Sequence, residues 1–149
     1  MIAPQIIKLE EHRDEVGCIF VVETSQHIPF EVKRYYSISD VPDGADRGSH
    51  AHRRLEQLVI AAYGSFDITL DDGFERRRHR LSDPGVGLYI GPMIWRDLTN
   101  FSSGAVAVVL ASRHYEESDY YRDYDEFLRD AARAGRGPLS GDGTPGEDR

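Results

Sequence analysis

The sequence predicts an all-β protein, a jelly-roll β-barrel carrying one C-terminal α-helix, and three observations support that class. Short segments rich in β-branched and aromatic residues follow one another along the chain. Gly, Pro, Asn and Asp punctuate them, and only one stretch, near the C-terminus, repeats its apolar residues at helical spacing.

In order, the predicted strands are QIIKL (5–9), CIFVVE (18–23), EVKRYYSI (31–38), LEQLVIAAY (55–63), SFDITL (65–70), FERRRHRL (74–81), GVGLYI (85–90) and AVAVVLA (105–111). Asp72-Gly73 between two of them is a hairpin signal, because a type I′ turn needs the positive φ that Asp and Gly tolerate. Tyr63-Gly64 marks a second reversal. Strands at this spacing, without intervening helices, form an antiparallel sandwich or small barrel. The helix is expected over about 119–134, capped by Ser118 and stopped at Gly135, with Tyr120, Tyr124, Phe127, Leu128 and Ala131 on the face that packs against the outside of a sheet. Residues 1–134 therefore read as a single domain. The remainder, 135–149, is rich in Gly, Pro and charge and is expected to be a disordered tail.

Composition narrows the function. A chain of 149 residues can bury a core without disulfides or a structural metal. Its one cysteine, Cys18, leaves no disulfide framework, zinc knuckle or redox pair. The start lacks a signal-peptide core and no apolar run is long enough to span a bilayer, so a cytoplasmic protein is expected. A net charge of −8 argues against nucleic acid and membrane surfaces as partners. It leaves room for a small anionic ligand, because a few arginines in a pocket bind a pyrophosphate whatever the outer surface carries.

The chemistry is concentrated in HAHRRLEQ, residues 50–57. Strand alternation points His50 and His52 the same way and Ala51 the other. The preceding VPDGADRGS loop puts the pair near a barrel mouth; two solvent-facing histidines at a strand start are the competing reading. Gly44, His50, His52, Glu56 and Gly64 together nearly reproduce the first signature of the cupin superfamily, and the resemblance implies a jelly roll with histidines and glutamate facing inward. Most cupins add a histidine from a second signature. The corresponding stretch here, residues 87–103, contains none and offers Arg96 or Asp97 near that place, so no metal is expected.

RGSHAHRRLEQ (47–57), YGSFDITLDDG (63–73), VGLYIGPMIW (86–95), NFSSGAVAVVLAS (100–112) and YEESDYYRDYDEFL (115–128) resemble the sugar 3,4-ketoisomerases, small cupins that convert dTDP-4-keto-6-deoxyglucose into its 3-keto isomer for deoxyamino-sugar biosynthesis. The likeness runs from about Ile28 to Leu128. It implies a homodimer that needs neither metal nor redox cofactor and works with its histidines. Moving a carbonyl from C4 to C3 requires a base, a donor for the developing oxyanion and exclusion of water, and histidine titrates in the range the base needs. The resemblance suggests His52 as the base at C3 and His50 as the group that polarises the substrate oxygens, with the reverse order left open. Arg47 and Tyr36 match pocket positions as cation and phenolic donor.

Gln57 or Glu56 should face inward and orient a histidine, and Trp95 is expected to wall the pocket. Arg96 occupies a position held by histidine in some relatives; an arginine does not release its proton at neutral pH, which favours a gluco-configured product over its galacto epimer. Lys33 and Arg34 are candidates for the pyrophosphate, since no glycine-rich phosphate loop exists. Arg76, Arg77, Arg78 and Arg80 read instead as the exposed face of a hairpin strand. Near the start, Val16 or Cys18 stands where relatives carry an arginine or tyrosine facing the sugar. The alternatives are a metal-dependent cupin such as a dioxygenase, using His50, His52 and Glu56, and a non-catalytic nucleotide-sugar-binding cupin.

Overall fold

A computed structural model of the chain describes residues 4–135. The chain-order elements are β1 (Gln5–Lys8), β2 (Glu10–Asp14), β3 (Gly17–Val21), β4 (Arg34–Ile38), β5 (Arg47–His52), β6 (Gln57–Tyr63), β7 (Phe66–Asp71), β8 (Arg76–Leu81), β9 (Val86–Ile90), β10 (Trp95–Thr99), β11 (Val106–Ala111), β12 (Tyr120–Tyr121) and α1 (Tyr124–Arg133). They build two five-stranded antiparallel sheets, in the orders β1-β9-β6-β11-β4 and β12-β5-β10-β7-β8. A separate hairpin pairs β2 with β3. The expected all-β jelly roll with one helix is present, although its two sheets are separate ladders and do not close into one hydrogen-bonded ring.

Alternation explains the layers. On β7, Phe66, Ile68 and Leu70 point between the sheets and meet Val59, Leu88, Ile90, Leu98 and Val109 in the main core. The intervening Asp67 and Asp71 take the outer face, where they pair with Arg80 at 3.1 Å and Arg76 at 2.9 Å across the ladder to β8. A second cluster, including Leu9, Ile28, Phe30, Leu58 and Tyr89, covers the back of the first sheet. The third packs α1 on the back of the second sheet, where Phe127 and Ala131 meet Ala51, Trp95 and Tyr121.

Asp72 and Gly73 do reverse the chain between β7 and β8, but not as the expected type I′ turn: the connection is four residues long, 72–75, Asp72 is not at positive φ, and its Oδ1 accepts from the amides of Phe74 and Glu75. Gly73 has a φ of +94°, and a Cβ there would come within 2.8 Å of the Ala131 Cβ, so the turn fits beneath the helix only without a side chain. Gly64, also at positive φ, carries the chain from the first sheet to the second.

Other boundaries differ from expectation. The helix begins at Tyr124, not near 119, and its cap is Asp123, whose side chain accepts from the Glu126 amide at 3.1 Å. Residues 117–119 form a 3₁₀ turn, and Tyr120 and Tyr121 pair with His52 and Ala51. A strand lets these two tyrosines face opposite ways, one towards the histidines and one into the helix layer. Strands β2, β10 and β12 escaped the sequence reading, and β5 entered it only as the strand start carrying His50 and His52, because their side chains, as in EEHRD, RGSHAH and WRDLT, are polar or mixed. The predicted tail lies almost wholly outside the described residues. No helix among those residues is long and apolar enough to cross a membrane.

Candidate active site

A cavity of about 450 Å³ opens between the sheets at the end where β4, β5, β6 and β10 bring their polar positions together. Tyr36, His50, Gln57 and Arg96 line it, one from each strand, while Val59, Ile68, Leu98 and Val109 form its apolar floor. Arg34, Arg47 and Arg122 surround it, so Arg96 is one of four guanidinium groups on a single cavity.

Two backbone features shape β5 at this point. Gly48 and Ser49 both have positive φ, and the β5–β10 register shifts between Arg96 and Asp97. A Cβ at Gly48 would stand 3.1 Å from the Arg96 carbonyl oxygen, a close approach that favours glycine. The bulge turns His50 towards the cavity, with His52 beyond it.

The two imidazoles do share one side of β5, and Ala51 faces the helix. Their rings are 4.9 Å apart and nearly perpendicular. His50 lines the cavity, whereas His52 is 2 % exposed and sits behind it against Tyr120, at a centroid distance of 4.3 Å. Burial, followed by the nearby charge of Arg96, pushes His50 down to about 4, opposed by a backbone hydrogen bond with Gly48. The same causes, with His50 added, push His52 further down. Both rings are neutral at pH 7. His50 Nε2 and both nitrogens of His52 are buried without a hydrogen-bond partner.

Arg96 is 2 % exposed and held from two sides: Nη2 donates to the Ile94 carbonyl at 2.7 Å and Nη1 donates to Gln57 Oε1. Gln57 Nε2 in turn donates to the Tyr36 hydroxyl at 2.9 Å. Burial lowers the guanidinium to about 10, so it stays charged at neutral pH, and among the described residues no carboxylate forms an ion pair with it. Burial raises the Tyr36 hydroxyl, which remains a neutral donor. An uncompensated buried cation beside neutral rings is a place where negative charge on a ligand is favoured.

Among the other predicted residues, Arg34 and Arg47 line the cavity, with the Arg34 guanidinium 4.6 Å above the Tyr36 ring. Gln57 is the inward member of its pair, yet it holds Arg96 and Tyr36, not a histidine. Glu56 points the other way and accepts from the Tyr89 hydroxyl at 2.6 Å, which takes it out of any ligand set with His50 and His52. Trp95 does not wall the cavity: alternation on β10 sends Arg96 inward and Trp95 outward, edge-on to Tyr124 at 5.1 Å. Lys33 is exposed and lies outside the lining. Val16 and Cys18 sit on the β2–β3 hairpin, also outside it.

Three residues that the sequence reading missed complete the site. Tyr120 and Arg122 line the cavity, the guanidinium 4.2 Å over the ring, and Asp119 lies buried beside His52. All three fell inside or next to the stretch expected to be helical. The available signal was Asp123 followed by Glu126, a capping spacing that starts the helix at 124 and frees residues 117–122 for the site.

The chain is similar to known proteins over most of its length. The TDP-4-oxo-6-deoxy-alpha-D-glucose-3,4-oxoisomerase of Aneurinibacillus thermoaerophilus is 40% identical over 129 residues, 87% of this chain and 93% of that protein. Among solved structures, a histidine-to-asparagine mutant of the 3,4-ketoisomerase QdtA from Thermoanaerobacterium thermosaccharolyticum, in complex with TDP-4-keto-6-deoxyglucose, is 38% identical and superposes with a TM-score of 0.86 over 89% of this chain and 96% of its own. The TDP-quinovose 3,4-ketoisomerase WlaRB from Campylobacter jejuni is 45% identical, with a TM-score of 0.82 over 85% and 97%. Residues 3–132 match the family described as FdtA, WxcM-like, C-terminal, and the chain belongs to that family.

Proposed function

We propose that the chain is a TDP-sugar 3,4-ketoisomerase that moves the carbonyl of TDP-4-keto-6-deoxyglucose from C4 to C3, with His50 as the base. The observation that carries the reading is the charged, carboxylate-free Arg96 standing in one cavity with a neutral His50 whose Nε2 is unpartnered. The similarity to enzymes named for this reaction supports it.

In the forward step a proton leaves C3 for His50, the C3–H electron pair forms the C3–C4 double bond, and the C4 carbonyl pair moves onto its oxygen. Arg96 and the Tyr36 hydroxyl are placed to stabilise that oxyanion. The C3 hydroxyl then yields its proton as the C4 oxygen gains one, and protonated His50 returns its proton to C4. Base and donor are thus both in the cavity, and the cavity-lining histidine takes the role that the sequence reading gave to His52. General acid–base catalysis contributes roughly 10²- to 10⁴-fold, which leaves much of the acceleration to the oxyanion donors. Arg34, Arg47 and Arg122 are set to hold the pyrophosphate. The hydrogens at C3 and C4 of a gluco sugar lie on opposite ring faces, so return of the proton from the same His50 gives the galacto configuration. The gluco product favoured from the sequence needs a proton donor on the other face, and Arg96, which keeps its proton, is not that donor.

The exposed β2–β3 hairpin, with Val16 93% and Ile19 64% exposed, is the surface on which a second copy would dock. Sedimentation should show a dimer that Ile19→Asp converts to monomer.

Incubation with TDP-4-keto-6-deoxyglucose in deuterated buffer tests the reaction. NMR should locate the carbonyl at C3, with deuterium at C4 to the extent that protonated His50 exchanges with solvent before it returns its proton. A carbonyl retained at C4, with deuterium at C3 or C5, would mean epimerisation and overturn the assignment.

A further inference from the structure

We infer that Asp119 is a positioning residue for the isomerisation, fixing the proton of His52 on Nδ1 and leaving Nε2 as a lone-pair acceptor. The inference rests on the proposed reaction. It begins from a buried imidazole with nothing to fix its tautomer: both nitrogens of His52 lack a hydrogen-bond partner, in a ring only 2 % exposed. Such an arrangement is costly unless a neighbour selects one protonation form.

Asp119 is the carboxylate in reach. It is 3 % exposed, and its Oδ2 stands 3.4 Å from His52 Nδ1, just beyond hydrogen-bond length. The carboxylate is itself anchored: Oδ1 accepts from the Arg54 amide at 2.9 Å and Oδ2 from the Leu55 amide at 3.2 Å. Its backbone is fixed as well, because the Arg53 amide donates to the Asp119 carbonyl at 2.8 Å and the next residue, Tyr120, pairs with His52 in the β12–β5 register. A rigid acceptor that faces Nδ1 draws the N–H to that side.

The consequence concerns His50. When it takes a proton from C3, a positive charge appears beside Arg96 and near Arg122, both of which already disfavour a charged His50. A δ-protonated His52, 4.9 Å away and backed by a carboxylate, places negative charge and an Nε2 lone pair behind the ring that becomes cationic. Asp119 touches neither substrate nor reacting atoms and works only through His52.

Nitrogen-15 correlation spectra of the intact protein read this directly, with the His52 signals assigned by their loss in His52→Asn. The expected result at pH 7 is a proton on Nδ1, moving to Nε2 in Asp119→Asn. In that variant kcat should fall about 100-fold while KM changes less than about threefold. The acid limb of its kcat profile should move to lower pH, read against the groups facing the pair: His50 on β5, Arg34 on β4, Arg96 on β10, and Glu117, Tyr120 and Arg122 of the C-terminal segment. A native protein with the His52 proton on Nε2 overturns the inference without a variant. So does an Asp119→Asn protein whose tautomer and kcat match the parent's. Native enzyme that turns over no keto sugar overturns the proposed function instead.

Discussion

At the scale of single residues the site is organised by an unpaid electrostatic debt at Arg96. A buried guanidinium with two neutral acceptors and no counter-ion destabilises the folded chain, and replacing such a charge with an apolar side chain of similar volume is often neutral or stabilising. Arg96→Met should therefore keep or raise the urea midpoint while lowering kcat/KM about 10²- to 10³-fold, the range for loss of an oxyanion donor. Arg96 is also the largest charge acting on His50, so the same variant should shift the acid limb of kcat/KM upward from near 4. Unchanged turnover, or a steep loss of stability, would argue that the guanidinium is merely structural. The histidine pair was legible in the sequence because strand alternation alone put both rings on one side, opposite Ala51. The identity of the inward neighbours was less so: nothing in Glu56-Gln57 says which faces the cavity until the strand is fixed to begin at Gln57.

Among elements, the short C-terminal strand depends on the helix that follows it. Phe127, fully buried, packs on Trp95 and Tyr121, while Arg53 lies 3.9 Å from the Tyr121 ring and donates to the Tyr120 carbonyl at 2.7 Å. Phe127→Ala should cost about 3–5 kcal/mol in chemical denaturation. It should also lower turnover, because Asp119, Tyr120 and Arg122 lose the support that keeps them over β5; normal activity in a strongly destabilised variant would separate helix from site. Hairpin β7–β8 was readable because Asp72-Gly73 and the apolar positions of SFDITL agree. Strand β10 was not, and β5 was readable only around its histidines, since the positions that face inward carry His50, His52 and Arg96 where a core strand would carry aliphatics. Function had overwritten the pattern that reveals structure.

For the whole molecule, buried neutral histidines tie folding to pH. In the unfolded chain His50 and His52 titrate near 6.5, whereas the folded protein holds His50 near 4 and His52 lower. Below 6.5 the unfolded state therefore binds more protons, so their contribution to stability is complete above that pH and is lost as pH falls towards 4. The melting temperature should decline across this window, and a His50→Asn, His52→Asn double variant should decline less. Equal slopes would show that other groups dominate. The charge balance of the molecule has a separate kinetic consequence. A nucleotide sugar, itself an anion, approaches a body of net charge −8 and is repelled at long range, yet the four guanidinium groups take hold once it enters the mouth. Dissolved ions screen the distant repulsion first, over roughly 10 Å at 0.1 M, and the enclosed attraction much less. Stopped-flow association of TDP should thus quicken as salt is raised from very dilute buffer, the reverse of what an arginine-lined mouth would show on a basic protein.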